Sequence, residues 1–138
     1  MGLLELDPLT ESVRAARAFT RAQLADSSCD VETAVLLVSE VVTNAVLHAR
    51  TKVTVTVQDL GAFARVEVTD GSPTLPSMHG FPVDSATGRG LRMLDRLSER
   101  WGVDPAKSGP GKVVWFEVGQ PAEDAWDSFA ASLSLEGL

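Results

Sequence analysis

Val31-Glu-Thr-Ala-Val-Leu-Leu-Val-Ser-Glu-Val-Val-Thr-Asn-Ala-Val-Leu-His-Ala49, followed after Arg50 by Thr51-Lys-Val-Thr-Val-Thr-Val-Gln58, decides the fold class. The first stretch has neither Gly nor Pro. At 100° per residue its Ala34, Val35, Val38, Val41, Val42, Ala45 and Val46 fall on one continuous arc, which predicts a helix with a single core face. Its β-branched content lowers intrinsic helix propensity, so packing must hold it. The second stretch alternates strictly between apolar and polar residues, the pattern of a half-buried strand. A one-faced helix beside a half-buried strand predicts a sheet covered by helices on one side.

The surroundings extend that frame. Asp59-Leu60-Gly61 reads as a turn, and Phe63 to Thr69 as a second alternating strand, so the two strands predict a hairpin. Leu3 to Asp7 reads as a short edge strand ended by Pro8. Thr10 to about Ala25 reads as a helix, with Arg14, Arg17 and Arg21 on one stripe. Asp26-Ser27-Ser28-Cys29-Asp30 supplies helix N-cap candidates. Asp70 to Gly88 holds Pro73, Pro76 and Pro82 and predicts a long loop, a feature often tied to function in small domains. Gly90 to about Arg100 predicts a helix with Leu91, Leu94 and Leu97 as its apolar stripe. A short strand at Trp101-Gly102-Val103, a turn at Gly109-Pro110-Gly111 and a strong strand at Lys112–Val118 complete the domain. The predicted class is α+β, a two-layer sandwich whose mixed, mostly antiparallel sheet is covered on one face by helices. Residues 1–120 form the domain, and 121–138 an acidic tail with a helical pattern.

Composition narrows the function classes. The chain has 138 residues, 12 Lys+Arg and 19 Asp+Glu, for a net charge of −7. That acidity disfavours a phosphate-backbone partner, so nucleic acid is not expected. Acids outnumber bases by only 15 to 12 in residues 1–120, whereas 121–138 carry four acids and no base. A lone cysteine, Cys29, makes no internal disulfide, and there is no Cys/His cluster for zinc. No apolar run is expected to approach a membrane span of roughly 18 residues. No signal peptide is visible at the N-terminus, so no membrane partner and a cytoplasmic location are expected.

Three local signals bear on chemistry. Glu40 and Asn44 are four residues apart on the long helix, which makes them neighbours about 6 Å apart. Leu36, Leu37 and Leu47 flank them, predicting a pocket with apolar walls. An acid beside an amide there can serve as general base and as metal or phosphate ligand. The same spacing also arises on exposed helix faces or as a pair capping nearby backbone. Gly88-Arg89-Gly90 stands between the loop and the third helix, where glycines and free N–H groups favour phosphate; a simple turn reads the same way. Arg89, Arg92, Arg96 and Arg100 follow at helical spacing as a basic stripe. Asp70-Gly71 ends a strand with an acid able to accept from a base amino group, although Asp-Gly is also an ordinary turn. His48 and His79 read as helix-end or loop residues rather than catalysts.

Together these signals resemble the histidine-kinase-like (GHKL) ATPase superfamily, whose architecture is the Bergerat ATP-binding fold. The likeness is nearest to the anti-sigma-factor serine/threonine kinases and their actinobacterial relatives. Residues 36–48 resemble the N box of that family, and Val68-Thr69-Asp70-Gly71-Ser72 its first glycine box. Gly88-Arg89-Gly90-Leu91 with Leu94 resembles the second, and residues 111–117 the closing strand. The resemblance implies that Asn44 holds Mg²⁺ against the phosphates of ATP and that Glu40 is the general base. It implies that Asp70 binds the adenine amino group beside Gly71, and that residues 71–88 form a lid. Gly88 and Gly90 would lie against the phosphates, with His48, Arg89 and Leu91 in the same cofactor-binding set.

The same resemblance implies partner switching in transcription regulation. A kinase of this type phosphorylates an anti-anti-sigma antagonist and holds a sigma factor, with a homodimer as a further expectation. The alternative is an ATP-binding or sigma-binding module without turnover. The arginine stripe Arg14, Arg17, Arg21 is the expected docking face for an acidic partner, or else a solvated helix face. Two positions depart from the family pattern. Ser72-Pro73 replace a further glycine. Val113 stands where the closing strand often carries a hydroxyl, which removes one expected adenine-side hydrogen bond.

Overall fold

The computed structural model describes residues 1–73 and 86–121; through residue 90 the second segment is described as backbone only. The expected acidic tail and most of the expected lid, with His79, lie outside these residues. The elements are β1 (Gly2–Leu6), α1 (Glu11–Gln23), α2 (Val31–Asn44) with a π-helical extension at Ala45–Ala49, β2 (Val53–Asp59), β3 (Ala64–Asp70), α3 (Ala86–Leu97), β4 (Arg100–Pro105) and β5 (Lys112–Val118). The strands form one sheet in the order β1-β2-β3-β5-β4. All four described pairings are antiparallel. This is the expected α+β sandwich.

Alternation builds the core. Leu4, Val55, Val68, Val114 and Val103 stand opposite one another across all five strands. Val57, Val66, Phe116 and Trp101 form the adjacent row. Ala34, Val35, Val38, Val41, Val42, Ala45 and Val46 of the long helix are all buried, as the arc predicts. The Asp30 carboxylate caps α2, accepting from the Thr33 N–H at 3.1 Å and the Thr33 hydroxyl at 2.8 Å. At its far end the helix widens, with the Arg50 N–H donating to Ala45 O, five residues back, at 3.1 Å. Arg50 ends it in the left-handed conformation, at φ 57°.

Four expectations need correction. Val31–Ala49 spans 19 residues at hydropathy 1.4, so by length and composition one helix is apolar enough to cross a membrane. Here its apolar arc is the domain core against the sheet. Second, α3 begins at Ala86, so Gly88-Arg89-Gly90 lies within its first turns rather than ahead of them. Burial of Leu91 and Leu94 offsets the low helix propensity of glycine. Third, α3 ends at Leu97, and Arg100 is the first residue of β4, so the four-arginine stripe is not one helix face. Leu97 is exposed rather than a core position. Fourth, Leu37 points into the core while Leu36 and Leu47 are exposed, so no closed apolar wall flanks Glu40 and Asn44.

The outer sheet face is polar. Arg65 Nη1 donates to Glu117 at 3.0 Å and Arg65 Nε to Glu67 at 2.8 Å, and the Arg65 guanidinium lies 4.2 Å from the Trp115 ring centroid. Arg100 Nε donates to the other Glu117 oxygen at 2.7 Å.

Cys29 is buried against the core, and its burial pushes the thiol above the ordinary cysteine range. A raised folded-state value means that the unfolded chain holds fewer protons once pH passes about 8.5. Stability therefore falls as pH rises beyond that point. Ellman's reagent is expected to label Cys29 only as fast as the chain opens; full labelling within seconds under native conditions would contradict the burial.

Candidate functional site

The inner row of β3 runs Ala64, Val66, Val68, Asp70, and that of β5 runs Phe116, Val114, Lys112. Both apolar rows therefore end on a charge, and the register sets Asp70 directly opposite Lys112. Their side chains are 3% and 11% exposed, and Lys112 Nζ lies 3.0 Å from each carboxylate oxygen. Such a buried pair is uncommon in a small domain, because desolvating two charges costs several kcal/mol per ion before attraction offsets it.

The turn after Asp70 is fastened on both sides. The Ser72 N–H donates to Asp70 Oδ1 at 2.8 Å, so the Asp-Gly turn reading is also correct. The Gly71 N–H donates to Thr51 Oγ1 at 2.7 Å. Gly111 packs on this corner so closely that a Cβ there would lie 2.3 Å from Asp70 O, which only glycine tolerates.

Topology carries the other signals to the same end. At the opposite end the Asp30 N–H, at the start of α2, donates to Gly119 O at 2.8 Å, just past the end of β5. The Glu99 N–H, just past α3, donates to Glu117 O at 2.7 Å. Each helix therefore has its other terminus toward Lys112 and Asp70. For α2 that terminus is Asn44, which its π-helical turn and Thr51 tie to Gly71. For α3 it is the start at Ala86, with Gly88, Arg89 and Gly90 in the first turns. The first four N–H groups of a helix have no intrahelical acceptor, so this start offers donors of the kind that a phosphate can accept from.

Individual side chains differ in what they offer. Among the described residues the Asn44 amide oxygen is buried without a hydrogen-bond partner, as is Trp115 Nε1, which leaves that oxygen able to bind a ligand. Glu40, one turn earlier on α2, is half-buried, and His48 is exposed on the π-helical turn. Leu91 is a core side chain, so only its backbone can face a ligand. Val113 pairs with Thr69 on the outer face, so a hydroxyl there would not reach the Asp70 corner. Lys112 and Thr51 went unrecognised in the sequence. Lys112 did carry a signal, being in phase with Val114 and Phe116 on an inner face.

The described residues hold no cluster of three or more His, Cys, Asp or Glu. A single amide oxygen nevertheless suits Mg²⁺, which keeps most of its shell as water and phosphate oxygen. A separate groove beside Phe63, Arg100 and Glu117 opens at the far end of the sheet from Asp70 and has no part in this arrangement.

On the first helix, Arg14 and Arg17 are exposed. Arg21 pairs with Glu32 of α2, so the three arginines of the stripe are not equivalent.

Comparison with known proteins agrees with the fold. The model of the family described as "Histidine kinase-like ATPase domain" matches residues 6–118. Among solved structures, the catalytic domain of the histidine kinase ThkA, in a nucleotide-free form, is similar at TM-score 0.54 and 16% identity, over 87% of this chain and 98% of that one. The histidine kinase AdeS of Acinetobacter baumannii aligns at TM-score 0.48 and 8% identity, over 88% of this chain and 68% of that one. No curated protein matches the chain in sequence.

Proposed function

Since the chain belongs to the histidine kinase-like ATPase domain family, we propose that it binds Mg-ATP at the Asp70–Asn44 end and acts as a protein serine/threonine kinase of the anti-sigma-factor type. The observation that carries this reading is the buried, unpartnered amide oxygen of Asn44 at the same end as the buried carboxylate of Asp70. One suits a cation on the phosphates, the other the amino group of adenine. The backbone at the start of α3 receives the phosphates. Bound with ATP, Mg²⁺ would neutralise phosphate charge from its place on Asn44 Oδ1.

Glu40 takes the proton of the acceptor hydroxyl as that oxygen bonds to the γ-phosphorus and the bond to the ADP leaving oxygen breaks. Its position one helical turn from Asn44 on the same helix supports that role. The acceptor is a serine or threonine of an anti-anti-sigma antagonist, where the added phosphate brings charge into the interface and separates the partners. Arg14 and Arg17 offer the docking face for an acidic sigma factor.

Incubation with γ-labelled ATP and a serine-bearing antagonist protein tests the reading. Glu40→Gln is expected to lower transfer by about 10²–10⁴-fold while ATP affinity, measured by calorimetry, stays within a few-fold. A wild type that binds Mg-ATP but transfers no phosphate to any antagonist or water would establish the second reading, a binding module without turnover. The replacement of glycine by Ser72-Pro73 in the first glycine box favours that reading.

A further inference from the structure

Resting on the nucleotide reading of this end of the molecule, we propose that Lys112 is a specificity-determining residue that reads N1 of the adenine ring beside Asp70. The argument starts from a count of donors and acceptors. An ionised carboxylate offers about four lone-pair positions. Oδ1 accepts from the Ser72 N–H and from Lys112 Nζ, while Oδ2 lies 3.0 Å from Lys112 Nζ as an ion-pair contact. An ammonium has three protons. One is donated to Asp70 Oδ1; among the described residues the other acceptors within reach are Asp70 Oδ2, in ion-pair contact at 3.0 Å, and Ser72 O at 3.5 Å, beyond the usual range for such a bond.

The corner therefore keeps acceptor capacity on Asp70 Oδ2 and an underused proton on Lys112, on neighbouring side chains that are 3% and 11% exposed. The Watson–Crick edge of adenine presents the complementary pair, the N6 amino donor next to the N1 acceptor. Burial makes the match selective, since a base edge that leaves either group unpaired forfeits a charge-assisted hydrogen bond in a poorly hydrated place. Val113 cannot supply this contact, because it lies on the outer face.

Titration calorimetry with ATP and 1-deaza-ATP, in which C–H replaces N1, tests the assignment. Wild type is expected to bind 1-deaza-ATP at least about tenfold more weakly than ATP. In Lys112→Met the two nucleotides are expected to bind within about twofold of each other, whatever the absolute affinity. A Lys112 that only steadies Asp70 would weaken both nucleotides equally and leave wild type indifferent to the deaza substitution. Equal binding of the two by wild type overturns the proposal without recourse to any variant. A preference that survives in Lys112→Met overturns it as well. ATP binding with no such preference leaves the nucleotide reading standing, whereas absence of ATP binding removes both.

Discussion

Asp70→Ala is expected to lose ATP binding and also about 3–5 kcal/mol of folding stability. The loss of stability follows from the pairing of Asp70 with Lys112. Removing the carboxylate strands an ammonium whose side chain is 11% exposed, with Ser72 O at 3.5 Å as its remaining acceptor. The converse single change, Lys112→Met, strands the carboxylate with the Ser72 N–H alone and is expected to cost a similar amount. Replacing both, as Asp70→Leu with Lys112→Met, continues the apolar rows of Val68 and Val114 to the sheet end. Such replacements are often neutral or stabilising. The double variant should therefore regain most of the stability in urea denaturation while remaining unable to bind ATP. Recovery of both properties would show that the pair serves the fold and not the nucleotide. Failure to recover stability would show that the corner cannot close around apolar side chains.

Asn44→Ala should behave in the opposite way. The amide oxygen has no hydrogen-bond partner among the described residues, so its removal costs no bond there and relieves an uncompensated desolvation. Stability is expected to change by less than about 1 kcal/mol, or to rise. Mg-ATP affinity should fall by about two orders of magnitude, since few protein groups hold the cation and loss of even a supporting residue costs about 10–100-fold. Titrations with and without EDTA check this directly: wild type should bind ATP better with Mg²⁺ present, and Asn44→Ala should not distinguish the two conditions. An unchanged Mg²⁺ effect in the variant would remove Asn44 from the cation site.

These two variants separate what each residue does for the fold from what it does for the ligand. The core side of α2 was legible because a buried helix face repeats with the period of the helix, and Ala34 to Val46 keep that period without interruption. The β2–β3 hairpin was legible for the corresponding reason at period two. The polar side of α2 was only half legible. Spacing puts Glu40 and Asn44 on one face, but it does not tell an unpartnered buried oxygen from a solvated one. The flanking leucines misled because Leu37 sits at the margin of the apolar arc and turns inward, leaving Leu36 and Leu47 exposed.

The basic residues show the limit most clearly. Arg89, Arg92, Arg96 and Arg100 have helical spacing, yet Arg100 bonds Glu117 across the sheet, and that contact lies 17 residues away in the chain. Arg21 likewise turns from the expected docking stripe to Glu32.

Taken by itself, the sequence determined the class of the fold, its helix core face, its hairpin and the residue types of the site, because local periodicity is written in neighbouring residues. The tertiary structure alone decided which charges meet. Strand register is a long-range property, and only the pairing of β3 with β5 places Lys112 against Asp70 and turns Val113 away.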